Sequence, residues 1–324
     1  EYVTTLGDDV YLKRITCPIA FQSPANDFHG EISDLQLAID EIKSEDWRVT
    51  CAPHHNHMDT AENFVLTHLW FDEYLKGEFE LPKTPETRLV LETNNGIPQF
   101  AVRPDRPDEV TESNIYYTEQ GETDNRANLG HVVNRYWKHA VATRQGDTWV
   151  AELPTHDADS NLWVYANANY ALAEPIDGVG YGYGAYTSDT YELSSRMAMV
   201  TPEQKRAAGV KATIDASLVI ETFEGDWQKE WYSFRDSPTA WELKTHKVYS
   251  PMYQAPRGAK LVFDVRSEQK NHLAMNVAKT WKIIAIAGGD EWQTVSVLPS
   301  DMNAHDPKDA LISWEEIKDL KFSG

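Results

Sequence analysis

Residues 16–77 alternate between short apolar strands and amphipathic helices, and this order constrains the fold more than any other feature of the chain. Residues 16–22 predict a strand and 34–44 a helix, for which Ser33 and Gln36 are predicted to form a capping box. Residues 47–52 predict a second strand, and a further helix ends at Gly77. Strands joined through a helix pair in parallel, because the crossover returns the chain to the same end of the sheet. The segment therefore predicts the edge of an α/β sheet, and its two strands need an upstream sheet or a partner chain to cover them.

From about residue 86 the apolar period changes to two, which is typical of antiparallel strands. Asn94-Asn95-Gly96 between two alternating runs predicts a hairpin. Strands separated by short polar turns continue to about residue 175 and suggest an immunoglobulin-like sandwich.

The rest of the chain predicts a connection and a second sandwich. Residues 178–191, GVGYGYGAYTSDTY, have no period and predict a loop, and Thr201-Pro202 predicts a short helix after it. About eight alternating strands follow, the first of them at residues 218–223, and suggest a jelly roll. The predicted fold class is thus mixed, with a partial α/β sheet followed by two mainly antiparallel β-sandwich domains. The predicted segments are 1–85 (end of an α/β domain), 86–175 (immunoglobulin-like sandwich), 176–212 (loop and helix linker) and 213–324 (jelly-roll sandwich).

The charge of the chain restricts its partners. With 30 basic and 51 acidic residues the formal net charge is −21, which repels phosphate backbones and anionic lipid surfaces. The sequence therefore predicts neither nucleic acid nor a membrane as a partner, and no apolar run approaches the length of a membrane span. Cys17 and Cys51 are predicted to be buried thiols beyond disulfide reach. The start at Glu1, in mid-domain by pattern, suggests that a preceding segment has been removed.

Two loops of the α/β segment carry residue types used in hydrolysis. Asp27 lies in the turn SPAND after the first strand, and His57 ends the loop APHHNH after the second strand. Since the carboxyl ends of parallel strands meet at one edge, we expect the two side chains to meet there. A carboxylate fixes the tautomer of an imidazole, which can then take a proton from a nucleophile. The alternative is that Asp27 only builds the turn and that His57 is one of three loop histidines.

Residues 10–77 resemble the C-terminal end of the α/β-hydrolase fold, as in acetyl xylan esterase, dienelactone hydrolase and PhoPQ-activated pathogenicity-related proteins. SPANDFHG resembles their acid loop and APHHNH their histidine loop. The resemblance implies ester hydrolysis with a serine nucleophile and an oxyanion hole. No Gly-x-Ser-x-Gly motif occurs in the 324 residues, so the nucleophile is expected from upstream sequence or a companion chain. Residues 214–324 resemble galactose-binding-like carbohydrate-binding modules through their strand pattern and tryptophans.

Residues around the acid are candidates for substrate binding. Phe28 and His29, with Asn26, could line a pocket or simply build the turn. Tyr181 and Tyr183 could form a flap or stacking platform, or pack between domains. We predict no metal site here, because the spacing of His29, His54, His55 and Asp59 lacks a diagnostic ligand pattern.

The last segment has its own candidates. Its tryptophans are expected mostly in the core, with one or two exposed as a sugar platform; they are Trp227, Trp231, Trp241, Trp281 and Trp292. No cofactor is predicted, although four carboxylates could bind a structural calcium or form a solvated acidic loop; they are Asp226, Asp301, Asp306 and Asp309.

Together these features predict the C-terminal part of an exported, serine-type hydrolase of carbohydrate esters. Asp27 would orient His57, and His57 would act as general base. The expected partners are a polysaccharide or other ester substrate and the chain segment that bears the nucleophile, in an extracellular or periplasmic setting. The alternative is a non-catalytic glycan-binding or scaffold protein that keeps a hydrolase remnant as a structural dock.

Overall fold

The chain forms two compact units, residues 1–214 and 215–324. Most of the regular secondary structure described is β-strand, and every α-helix described lies in the first unit. This agrees with the predicted β-rich, mixed fold class. The computed structural model describes residues 9–57, 60–122, 129–180, 184–233, 236–237, 240–315 and 317–324.

The first unit combines short helices with strands of three to nineteen residues. The helices are α1 (Asp9–Leu12), α2 (Ile32–Glu41), α3 (Ala61–Phe71, continued by a π-helical turn at Asp72–Lys76), α4 (Leu129–Val132) and α5 (Pro202–Ala207). The strands are β1 (Ile19–Gln22), β2 (Trp47–Thr50), β3 (Glu86–Val90), β4 (Gln99–Arg103), β5 (Val110–Thr118), β6 (Lys138–Ala140), β7 (Thr143–Gln145), β8 (Thr148–Glu152), β9 (Leu162–Gly180), β10 (Gly184–Ser194) and β11 (Ala198–Val200).

A seven-stranded sheet organises this unit, in the order β1–β2–β10–β9–β5–β6, with β11 paired to β9. β1 and β2 are parallel, as predicted, with Ile19 opposite Trp47. β10 joins this pair from the other side, antiparallel, through Ser194 opposite Val49. The chain therefore supplies a neighbouring sheet for the parallel pair itself. Residue 85, a predicted domain boundary, lies within the first compact unit, at the point where the chain passes to a second sheet that begins with β3.

The strands predicted as one sandwich at 86–175 divide between two sheets. β3, β4, β8 and β7 form an antiparallel four-stranded sheet in that order, whereas β5, β6 and β9 belong to the seven-stranded sheet. The predicted hairpin is confirmed, since β3 pairs with β4 and Gly96 takes the positive φ of 77° that the turn requires.

Both faces of the seven-stranded sheet are buried around β5 and the first half of β9, where apolar side chains alternate between two cores. On β5, Ile115 and Tyr117 face a core shared with the four-stranded sheet and α3. Tyr116 points to the opposite core, which contains Trp137 and also Ala25 of the acid loop. Burying a large apolar side chain contributes about 1.5–3 kcal/mol, so the aromatic core on this second face fixes the base of the acid loop.

The described part of the glycine-rich stretch, residues 178–180 and 184–191, belongs to a strand pair and is not the predicted loop. β9 and β10 pair antiparallel from Ser194 opposite Asn167 to Gly184 opposite Gly180. A Cβ at Gly178 would lie 2.4 Å from the Tyr186 ring. Glycine in these strands therefore lets an aromatic ring lie close against the backbone. In the sequence the glycines indicate a loop, whereas Gly178 is required because a side chain there would overlap the Tyr186 ring.

Gly178→Ala should destabilise the first unit by about 1–3 kcal/mol, because the new methyl group overlaps a buried ring that also stacks on Phe64. Urea unfolding of the whole chain measures this change. Val179→Thr is the matched control: Val179 is 81% exposed, and a β-branched exchange on the solvent side should stay within about 0.5 kcal/mol. Equal stability of the two variants would contradict the packing role of Gly178.

The predicted helices are present, and the first of them, predicted over 34–44, spans Ile32–Glu41. α2 is confirmed but begins after Glu31, and no side-chain capping bond forms there. Gln36, predicted to complete a capping box, is buried and its Oε1 accepts the N–H of Met197 at 3.2 Å. The helix after the second strand ends at Gly77, as predicted, with a φ of 70°.

The two cysteines differ in environment. Neither forms a disulfide, and Cys51 is buried whereas Cys17 is exposed. The prediction of two buried thiols is thus wrong for Cys17, because this residue precedes β1 and is not covered by the sheet. Among the residues described, no helix is long and apolar enough to cross a membrane.

The second unit has two antiparallel sheets around one apolar core, which fits the coarse prediction of a β-sandwich. One sheet runs β12–β13–β19–β15–β16–β18 and the other pairs β14 with β17. Residues 218–223, predicted as a strand, have no strand structure. The strands are β12 (Asp236–Ser237), β13 (Ala240–Thr245), β14 (Leu261–Val265), β15 (Asn271–Val277), β16 (Thr280–Ile286), β17 (Gln293–Val297), β18 (Asn303–Ala304) and β19 (Leu320–Ser323).

Candidate functional site

The acid and histidine loops leave the sheet side by side. After β1 and β2, the backbone pairing continues beyond the strands: the N–H of Ala25 donates to the carbonyl of Ala52 at 2.9 Å. The N–H of Asn26 then donates to the carbonyl of His55 at 3.0 Å. Parallel pairing thus holds the two loops together up to the residue before Asp27.

Asp27 is held by its own loop. The N–H of His29 donates to Asp27 Oδ1 at 2.7 Å, and the N–H of Gly30 donates to the same oxygen at 3.3 Å. These bonds form an Asx-type turn, the local structure that aspartate favours after a proline. The side chain is 11% exposed, so its second oxygen can act on a neighbour with little competition from water.

That neighbour is His57. Its Nδ1 lies 3.1 Å from Asp27 Oδ2 and 3.3 Å from Oδ1, so the contact expected from the sequence is present. At this distance the carboxylate can accept a proton carried on Nδ1, and in that tautomer the lone pair of a neutral imidazole is on Nε2. The His57 side chain is 43% exposed, so this imidazole combines a buried anchor with access from outside.

The backbone around the histidines takes an uncommon conformation. His54 has a φ of 64° and His57 a φ of 53°, in the left-handed region that side chains other than glycine visit rarely. Such conformations persist where surrounding contacts determine them, and they are frequent at functional sites. Here they turn the loop so that the ring of His57 returns to Asp27.

Asn26 connects the acid loop to the second core. From the sequence it is expected to line a pocket or to build the turn. Its Nδ2 donates to the carbonyls of Arg135 (2.8 Å) and His54 (3.3 Å), and its Oδ1 accepts the indole N–H of Trp137 at 3.0 Å. The side chain is fully buried. Asn26 therefore ties the acid loop, the histidine loop and the start of β6 into one network.

Arg135 lies beneath this network and was not found from the sequence. Its Nε donates to the carbonyl of Gln120 at 3.0 Å, its Nη1 reaches the carbonyl of Ala25 at 3.5 Å, and its guanidinium stacks 4.8 Å above the Trp163 ring. Burial lowers its pKa from the ordinary value to about 10. The group remains a cation at neutral pH and is held by carbonyl dipoles and an aromatic face.

The predicted substrate-binding residues are brought together in part. Phe28 is half-buried and His29 is exposed. Their ring centroids lie 5.8 and 4.8 Å from that of His57, so both form an aromatic rim beside the imidazole. Tyr181 and Tyr183 lie outside the described residues.

Metal-binding arrangements are absent from the part of the chain that the structure describes, where no group of three or more His, Cys, Asp or Glu side chains could hold an ion. Asp59 lies outside that part. Three of the four candidate calcium carboxylates have other roles. Asp301 and Asp306 accept backbone N–H groups of Leu298 and Lys308 at 2.9 Å, and Asp309 pairs with Lys279 at 3.0 Å.

Two tryptophans of the second unit are exposed, as the sequence suggested. Trp241 is 41% exposed, Trp292 is 64% exposed and Trp231 is buried. Trp227 and Trp281 are half-buried. Arg266 lies 5.2 Å above the Trp292 ring and supports it from one side.

Comparison with known proteins adds no assignment: no family model, no curated protein and no solved structure matches the chain. The geometry of Asp27 and His57 is therefore the main indication of what this chain does.

Proposed function

We propose that this chain supplies the acid and the general base of a serine-type ester hydrolase that acts on carbohydrate esters. Asp27 fixes the tautomer and orientation of His57, and Nε2 of His57 takes the proton of the nucleophile. One observation carries the proposal: a buried carboxylate lies 3.1 Å from Nδ1 of a partly exposed imidazole, at the carboxyl end of two parallel strands.

In this proposal the first unit contains the C-terminal edge of an α/β-hydrolase sheet. The serine comes from a segment or companion chain beyond these 324 residues, because no Gly-x-Ser-x-Gly elbow is present in them. β1 is the outermost strand of the described sheet, so a further strand could pair with its open edge. Such a strand would bring a nucleophile to the side on which His57 lies.

The second unit is assigned to carbohydrate recognition under the same proposal. The exposed rings of Trp241 and Trp292 offer apolar faces of the kind on which sugars stack. A polysaccharide ester is then the substrate, and the protein acts outside the cytoplasm, where such polymers occur. Glycan binding without catalysis is the second candidate function, favoured by these same two rings.

Ester hydrolysis by the complete protein tests the proposal, with an acetylated oligosaccharide as substrate. His57→Ala should lower kcat by about 10²–10⁴-fold, the range for loss of a general base. His68→Ala is the matched control, since this histidine is exposed on α3, and its rate should equal that of the wild type. An unchanged rate in His57→Ala, with polysaccharide binding retained, would reject the catalytic proposal in favour of glycan binding.

A further inference from the structure

The second unit contains an apolar cavity of about 410 Å³ between its two sheets. Its floor reaches residues that are almost inaccessible to solvent, including Trp231, Val277 and Trp314. Its rim is formed by large apolar side chains that remain exposed, among them Leu218 (76%) and Val219 (60%). Cavities of this size and depth are typical of small-molecule sites, whereas a protein partner usually meets a flatter surface.

Residues 218–223, at the rim, are one of the segments in which the sequence pattern and the structure differ. Residues 218–223 alternate like a strand but pair with neither sheet in the described structure, and they leave the gap between the sheets open. A sandwich normally fills that space with interdigitated side chains. Here Phe263 and Phe322 meet across it at a centroid distance of 5.3 Å, and the cavity extends beside them.

Two charged residues line the cavity, and they differ in their partners. The carboxylate of Glu221 already has partners: its Oε2 accepts hydrogen bonds from Lys247 Nζ at 2.7 Å and from the indole N–H of Trp231 at 2.9 Å. Lys260 is exposed at the rim, and no carboxylate of the described residues lies within ion-pair distance of it. The cavity thus combines an apolar interior with an exposed lysine at its entrance.

We propose that this cavity binds an aliphatic carboxylate, with the hydrocarbon chain between the two sheets and the carboxylate at Lys260. The driving force is the transfer of methylene groups from water to the apolar walls. Affinity should therefore rise about fourfold for each added CH₂ until the cavity is full. This ligand site is independent of Asp27 and His57.

Quenching of tryptophan fluorescence by 11-bromoundecanoate tests the proposal on the whole chain. Bromine quenches indoles that it contacts, and Trp231 and Trp314 line the cavity. We expect saturable quenching in the wild type. Ala259→Phe, which fills the cavity from a lining residue, should weaken binding at least tenfold. Ala285→Phe is the matched control on the exposed side of β16, and it should bind like the wild type.

The carboxylate contact has its own test. Lys260→Glu should weaken binding of 11-bromoundecanoate about fivefold, the scale of an exposed ion pair, and leave binding of 11-bromo-1-undecanol unchanged. Circular dichroism checks that the variants fold, and Ala255→Phe, on another part of the lining, replaces Ala259→Phe if that variant does not.

Three results would overturn the proposal. They are an absence of saturable quenching, equal affinity in the cavity-filling variant and the wild type, and a dimer in solution that Val219→Glu dissociates. The last result would mean that a second copy of the chain covers the cavity.

Discussion

Asp27→Asn is expected to reduce ester hydrolysis by the complete protein about 10⁴-fold while leaving the fold intact. The amide oxygen of the new residue can keep the bond from the N–H of His29, which reaches Oδ1 at 2.7 Å in the wild type. The amide NH₂ then replaces Oδ2, the oxygen 3.1 Å from His57 Nδ1. Because that NH₂ donates, it stabilises the tautomer with the proton on Nε2, and this nitrogen can no longer accept a proton from the nucleophile.

Two measurements separate this effect from misfolding. The first is kcat on an acetylated oligosaccharide, with Asp34→Asn as the matched control, since Asp34 is an exposed carboxylate on α2. The second is the ¹⁵N spectrum of the His57 ring in this chain alone, which reports where the proton lies. A ring that keeps its proton on Nδ1 in Asp27→Asn, or a rate equal to the control, would show that Asp27 does not set the tautomer.

The two catalytic candidates could be predicted from the sequence because their signals are local. Asp27 and His57 each lie in a loop that directly follows a short strand. The parallel pairing of β1 with β2 then brings the two loops together. The hairpin at Gly96 and most strands of the second unit could be predicted for the same reason, since apolar alternation and turn residues are patterns within a few positions.

The residues that hold the acid and histidine loops in place could not be predicted from local sequence signals. Asn26 contacts Arg135 and Trp137, which are 109 and 111 positions away in the sequence. The strand that continues the sheet pairs Ser194 with Val49, and no periodicity in either segment indicates that partner. Long-range pairing of this kind depends on which surfaces fit after the local elements have formed. The single chain alone therefore predicted the parts of the site but not the core that positions them.

Lys138→Met is expected to destabilise the first unit by about 3–5 kcal/mol, more than the methyl group added in Gly178→Ala. Lys138 Nζ lies 2.7 Å from Glu119 Oε2, and both side chains are mostly buried, at 8% and 12% exposure. Removing the lysine leaves a buried carboxylate without its counter-charge. Lys138 also directly follows Trp137, the residue that holds Asn26, so the acid loop should loosen with it.

The pH dependence of this effect follows from Glu119. Burial alone would raise its pKa, but the charge and hydrogen bond of Lys138, with the N–H groups of His156 and Asp157, hold the pKa below the ordinary value. A carboxyl whose pKa is lowered by folding stabilises the fold above its unfolded pKa, and this contribution is lost as the pH falls through the folded pKa. The difference in unfolding free energy between the wild type and Lys138→Met should therefore be largest at neutral pH and decrease in acid.

Urea unfolding at neutral pH and near pH 4 measures the loss of stability in Lys138→Met and its dependence on pH. Lys76→Met is the surface control: its pair with Asp72 at 2.6 Å is solvent-exposed and should contribute less than about 1 kcal/mol. The double variant Lys138→Met/Glu119→Gln removes the uncompensated charge and should recover part of the loss, because the amide oxygen can still accept the backbone N–H groups. No recovery would mean that Lys138 stabilises the unit through packing on Tyr117, 5.4 Å away, rather than through the carboxylate.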